Sequence, residues 1–308
     1  MHTFGTIVEK VPTTLQQLSS HDPNDYWLVQ EIGFSEEDYE KATHVLIGCP
    51  QDEGVQRNNG RAGAAEAPDK IRERLYRMQV SQNTDIKLYD AGNITFSSLE
   101  QSHIHLFKMV SQCLRDGKKV ITLGGGNDLS YADASALTKV CGEISAINVD
   151  AHLDMRKADK MTSGTPYRQL IEQRLLKPGR FHEFGIRPES NGDFYLTDAE
   201  EMGVSIHYLS DILNTGVQKS FSKVISSMDQ APLFLGLDMD SVQAADAPGV
   251  SASSPIGFSA REMLEIVEEA KNHPQLKLFE ITEVNPSFDV DHRTVKLAAS
   301  LVWKYLFG

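Results

Sequence analysis

A chain of 308 residues with 40% hydrophobic content can bury a large core, and α/β folds often use this length as one unit. Its net charge of −13 argues against nucleic acid and anionic membranes as partners. An anionic substrate stays open, because a local field can oppose the global one. Cys49, Cys113 and Cys141 show no metal-ligand spacing and are odd in number, so a reduced, cytoplasmic protein is expected. Met1 to Gly5 has no basic or apolar leader character, and no apolar run approaches the roughly 18 residues of a membrane span.

Residues 1–43 carry weak signals. Asp22-Pro23-Asn24-Asp25 reads as a helix start before Tyr26, and Ser35-Glu36-Glu37-Asp38 as a second short helix or turn. The segment is expected to pack as an N-terminal extension on a single domain spanning 1–308. From His44 an α/β rhythm begins. Apolar, β-branched runs predict strands at 45–49, 86–89, 120–123, 144–149, 181–186, 204–209, 234–237 and 276–281. Helices are predicted over 64–78 and 98–116, from Asp128 through Leu137, up to about Leu176, and over 292–306. Residues 52–63 read as a polar, Gly-containing loop. The pattern predicts a three-layer αβα fold around a mostly parallel sheet of about eight strands. Ligands of such sheets bind at the carboxyl ends of the strands.

Acidic residues gather at those ends. After the strand at 144–149 come Asp150, His152 and Asp154. Residues two apart on an extended chain share a side, so the three are expected to project together. The strand at 234–237 ends in Asp238 and Asp240, with the same spacing. Each group alone could be a polar loop or a helix cap. Two such groups on parallel strand ends would repel one another unless a cation neutralised them. Hard carboxylates with one imidazole suit manganese or magnesium better than structural zinc.

Asp150-Ala151-His152-Leu153-Asp154-Met155-Arg156 resembles the DAHxDxR motif of the ureohydrolase family, which includes arginases, agmatinases and formimidoylglutamases. Leu237-Asp238-Met239-Asp240-Ser241 is similar to the family's second metal motif, and Glu283-Val284-Asn285-Pro286 to its substrate-facing segment. The resemblance runs from about His44 to the C-terminus. It implies an arginase-like fold, two Mn2+ ions per subunit, and a homo-oligomer, trimer or hexamer. It also implies that Asp150 and Asp238 bridge the metals, that His152 and Asp240 complete one, and that Asp154 helps hold the other. The family carries a histidine ligand where this chain has Asn127. Asn127 could ligate through its amide oxygen, Asp128 could replace it, or the first site could bind weakly or stay empty.

Three segments lean towards the formimidoylglutamase branch. They are the Arg-bearing loop from Gly54 to Ala64, Ser163-Gly164-Thr165-Pro166-Tyr167, and Gly185-Ile186-Arg187-Pro188-Glu189-Ser190-Asn191. Arginases carry a histidine in the second segment that is absent here. The resemblance implies hydrolysis of N-formimidoyl-L-glutamate to glutamate and formamide by a metal-activated water. Glu283 would orient the amidinium and Asp154 would relay a proton. Arg57, Arg61, Arg168 and Arg187, with Ser163 and Tyr167, are candidates to hold the substrate, although each arginine could equally be structural. Two alternatives compete. One is hydrolysis of a guanidine such as agmatine or guanidinobutyrate. The other is a non-catalytic, metal-deficient member, which Asn127 would favour.

Overall fold

The computed structural model describes residues 5–82, 84–228 and 230–308; Met1 to Phe4, most of the N-terminal stretch expected to lack a leader, lie outside the described residues. Ten strands form one sheet: β1 (Val8–Glu9), β2 (Ile32–Gly33), β3 (His44–Gly48), β4 (Leu88–Ile94), β5 (Lys119–Leu123), β6 (Ser145–Val149), β7 (Phe181–Ile186), β8 (Ser205–Tyr208), β9 (Leu233–Asp238) and β10 (Leu276–Thr282). The order is β1-β4-β3-β5-β10-β9-β6-β7-β8, with β2 also on β4. The β1–β4 pair is antiparallel; the other pairings are parallel. The two strands beyond the expected eight, β1 and β2, have two residues each, too short for any periodic signal.

Strand alternation builds the layers. Val45, Ile47, Val120, Ala146, Phe234 and Leu278 pack on one face with the helices Leu99–Arg115, Leu129–Cys141 and Pro166–Glu172. Leu46, Ile121, Ile147, Leu235 and Phe279 face the other way, towards Ala67–Leu75, Val217–Ser227, Ala260–Lys271 and Arg293–Phe307. Adjacent residues of one strand thus feed two cores, which is why these runs are continuously apolar.

Several boundaries differ from the expected ones. The strand expected at 86–89 runs on to Ile94 through the polar Asp90 and Asn93. Buried Arg72 makes this possible, donating to Asp90 at 2.8 and 3.0 Å and to Asn93 at 2.5 Å, with the Tyr76 hydroxyl adding a 2.6 Å bond to Asp90. No helix starts at Asp22; its carboxylate accepts from the Asn24 backbone at 2.9 Å and closes a turn instead. The loop expected over 52–63 contains a short helix, Glu53–Arg57. Asp128 precedes the helix Leu129–Cys141 without capping it. Its carboxylate accepts from Gln51 at 2.7 Å and lies 2.7 Å from His103 Nε2. No helix among the described residues is long and apolar enough to cross a membrane.

Candidate metal centre and active site

Residues at the carboxyl ends of β6, β9 and β10 line a cavity of about 500 Å³, and the turn after β5 is hydrogen-bonded to them through Asn127. That volume is within the usual range for small-ligand sites. Asp150 follows β6, Asp238 ends β9, Glu283 follows β10, and Asn127 sits in the glycine turn after β5. The spacing of two brings the acids together, but not through extended strand. Asp240 lies in a single 3₁₀ turn, Met239–Ser241, begun by its own backbone N–H donating to Asp238 at 2.8 Å. Asp154 and Glu283 adopt left-handed backbone, with φ of 46° and 62°. Non-glycine residues hold that conformation at a cost of about 1–3 kcal/mol, and such residues concentrate at functional sites.

Two groups of ligand atoms result. One oxygen or nitrogen each from Asp150, His152 and Asp240 lie within 4.8 Å of one another, and so do oxygens of Asp150, Asp154 and Asp238. Asp150 is common to both, so two cations would be neighbours. Asp150, Asp238 and Asp240 are buried. Burial, and next the Asp240 charge, push the carboxyls of Asp150, Asp238 and Glu283 upward; burial and then Asp150 do the same to Asp154. His152 Nδ1 lies 3.2 Å from Asp240 and 3.5 Å from Asp150. The Asp240 charge is the main cause that pushes His152 up to about 12. Without metal, this imidazolium is the cluster's positive charge. Asp240 Oδ1 is buried with no hydrogen-bond partner. An orphaned carboxylate oxygen, raised carboxyls and hard donors in two overlapping triplets fit divalent cations of the manganese class.

Asn127 presents its nitrogen, not its oxygen, to this cluster. Its Nδ2 donates to Asp154 at 2.7 Å and to Asp150 at 3.3 Å. Its Oδ1 accepts from the Ser130 and Thr282 hydroxyls at 3.0 and 3.1 Å, and its backbone N–H donates to Glu283 at 3.1 Å. Asp128, the other candidate ligand, is turned away towards Gln51 and His103.

Of the expected substrate residues, Ser163 and Glu283 line the cavity and the four arginines do not. Arg57 is paired with Glu53 at 2.5 Å and Glu100 at 2.6 Å. Arg61 lies 4.1 Å over the Phe288 ring and bonds the backbone of Val250 and Ser251. Arg168 pairs with Asp198 and bonds the Met155 carbonyl at 3.1 Å. Arg187 bonds the Ile256 carbonyl at 2.5 Å. Tyr167 is fully buried, stacked on Phe181 at 4.5 Å, with its hydroxyl on Ser130. Partners distant in sequence occupy these groups. The cavity wall instead carries Arg156, Asn58, Asn59, Tyr195 and Ser251. Arg156 had a visible signal, since it ends the Asp150–Arg156 motif, and Asn58 and Asn59 lie in the branch-like loop Gly54 to Ala64; Tyr195 and Ser251 had none.

Known proteins resemble this chain in sequence and fold. The model of the Arginase family matches residues 42–308. The formimidoylglutamase of Citrobacter koseri is 33% identical over 281 residues, covering 89% of this chain and 88% of that protein. The formimidoylglutamase of Klebsiella pneumoniae is 35% identical over 269 residues, 84% of each. The crystal structure of Trypanosoma cruzi formiminoglutamase with Mn2+ superimposes with a TM-score of 0.87 at 32% identity, over 92% of this chain and 98% of that one. Bacillus subtilis formimidoylglutamase gives a TM-score of 0.85 at 28% identity over 94% of both chains. The chain belongs to the arginase family.

Proposed function

We propose that this chain hydrolyses N-formimidoyl-L-glutamate to glutamate and formamide. The observation that carries the reading is the pair of overlapping ligand triplets at the floor of a cavity whose wall holds Arg156. Asp150, His152, Asp154, Asp238 and Asp240 would hold two Mn2+ ions. When bound, the ions supply Lewis acidity that brings the pKa of a water towards neutrality. Glu283 pairs with the amidinium and sets its trigonal carbon over the triplets. Asp154, held by the Asn127 amide, carries a proton to the leaving amine nitrogen, so that glutamate departs as the amine and formamide keeps the carbonyl. Among the residues lining the cavity, Arg156 and His152 are the basic ones, and His152 faces the aspartates. Arg156 therefore takes a substrate carboxylate, with Asn58, Asn59 and Ser163 as neutral partners. That arrangement disfavours a cationic guanidine, and the named relatives favour neither the guanidine nor the non-catalytic alternative. Assembly as a trimer or hexamer is proposed on the family resemblance, and a cytoplasmic setting on the odd, unspaced cysteines.

The test is turnover of a panel with manganese supplied: N-formimidoyl-L-glutamate, agmatine, guanidinobutyrate and arginine, read as formamide against urea. Manganese-dependent formamide release from the first is expected. Preference for agmatine would remove the role given to Arg156.

Asn127 enters this reading as a hydrogen-bond donor that holds Asp154 and Asp150, not as a ligand. Asn127→His exchanges that donor for an imidazole donor atom and is expected to tighten the weaker manganese site by about tenfold or more, since imidazole binds manganese better than an amide. Calorimetric titration of manganese into both proteins checks this. An unchanged affinity would show that position 127 does not face the ion.

A further inference from the structure

The segment from Gly185 to Asn191 matches the formimidoylglutamase branch, yet its arginine does not reach the cavity. Its last residue does. Asn191 lines the cavity wall, in the loop between the 3₁₀ turn Pro188–Ser190 and the helix Asp193–Met202. We propose that Asn191 is a positioning residue, which clamps the loop carrying His152 and Asp154 into the geometry the metal centre needs. This inference rests on the metal-hydrolase reading above.

The loop is held mainly through side chains: the Asp150 carboxylate accepts from His152 N–H at 2.8 Å, and Arg168 donates to the Met155 carbonyl at 3.1 Å. Residues 151–157 belong to no helix or strand. Asp150 N–H still bonds Phe184 across the sheet at 3.0 Å, and Arg156 N–H bonds Gly164 at 2.9 Å. Between those points the backbone must bring His152 to Asp240 and bend Asp154 into left-handed φ. Asn191 bonds the backbone there on both sides of His152. Its Oδ1 accepts from Leu153 N–H at 3.0 Å, and its Nδ2 donates to the carbonyls of Ala151 at 2.9 Å and Arg187 at 2.9 Å. Leu153 and Ala151 flank His152 on either side, and Leu153 precedes Asp154.

The bonding capacity of Asn191 argues against a substrate contact. An amide has two N–H donors, and both are spent on carbonyls, so no donor is left for a ligand in the cavity. The Ala151 carbonyl also accepts from Arg187 N–H at 3.2 Å, so the clamp joins the two loops twice. Arg187 braces the clamp from behind, through its bond to the Ile256 carbonyl. This gives the branch-like segment a purpose its arginine does not serve in the cavity: it is a bracket for the metal ligands of the neighbouring strand.

Outer-sphere partners of this kind change metal affinity by about 10–100-fold when removed. Asn191→Ala is therefore expected to weaken manganese binding by about that factor, to lower kcat more than it raises KM, and to disturb the spin-coupled two-manganese signal in electron paramagnetic resonance. Asn191→Asp keeps the acceptor for Leu153 N–H and loses the donors to Ala151 and Arg187, so an intermediate loss is expected; it carries the test alone if the alanine variant does not fold. A wild-type chain that binds no manganese would sink the hydrolase reading itself. Wild-type-like manganese affinity and spin coupling in a folded variant, with only the unfolding midpoint of the metal-free protein moved, would overturn the clamp and leave the hydrolase reading standing.

Discussion

Asp150→Asn is expected to abolish manganese-dependent turnover, lowering kcat/KM by about 10³-fold or more and leaving fewer than two ions bound. The magnitude follows from the several kcal/mol that metal centres contribute to such transition states. Asp150 is chosen because it is the one carboxylate shared by both ligand triplets. Its place in the hydrogen-bond network survives the change in part. Asn148 Nδ2 lies 3.1 Å away, and the His152 backbone N–H donates to it at 2.8 Å. The metal-free variant should unfold at the same temperature as the metal-free parent or higher, because a buried carboxylate that repels Asp240 has been neutralised. Loss of metal together with unharmed metal-free stability is a signature that a general packing defect would not give. Two manganese ions retained per chain, by elemental analysis after dialysis, would contradict the shared position of Asp150.

Glu283→Gln is expected to cost about 10²-fold in kcat/KM while leaving manganese binding intact. Glu283 belongs to neither ligand triplet, although it lines the same cavity. Glutamine keeps the shape and an oxygen for the Asn127 backbone N–H, and loses the charge that pairs with an amidinium. A hydrogen bond to a charged group contributes about 1.5–3 kcal/mol, which sets the size of the loss. Steady-state kinetics beside a manganese titration separate the two quantities. Should manganese affinity fall in step with activity, Glu283 would have to be counted among the ligands.

The sequence was most readable where chemistry and chain direction coincide. The runs ending at Val149 and Leu237 are apolar because both faces of the sheet are covered, and the acids after them stand out against that background. Their convergence was foreseen for a partly mistaken reason. Strand alternation was expected to aim them, whereas a 3₁₀ turn aims Asp240 and left-handed backbone aims Asp154. The arginines were the least readable group. Arg57 and Arg61 lie on the loop beside the cavity, and the sequence could not reveal that Glu100 neutralises the first or that Phe288 and a backbone carbonyl occupy the second. Long-range partners decide whether a charge is free, and local pattern carries no record of them. The same holds for Asn127, whose role turns on which way its amide faces, and the carboxylate oxygens of Asp154 and Asp150, as acceptors, draw its nitrogen.

The strand order has a consequence for how the centre comes into being. β5 and β6 follow one another along the chain, yet β10 and β9 lie between them in the sheet. The last two strands made are therefore the central ones, and they join two groups of strands, β1-β4-β3-β5 and β6-β7-β8, that precede them in the chain. Each ligand triplet takes residues from the end of β6 and from the end of β9. The ions can be held only once β9 and β6 are paired. Parallel pairings between distant segments form slowly, because loop closure comes before the contacts that reward it. Metal captured at this seam would act as a rivet on the late strands, making manganese during refolding a determinant of how much chain reaches the native sheet as well as of its activity.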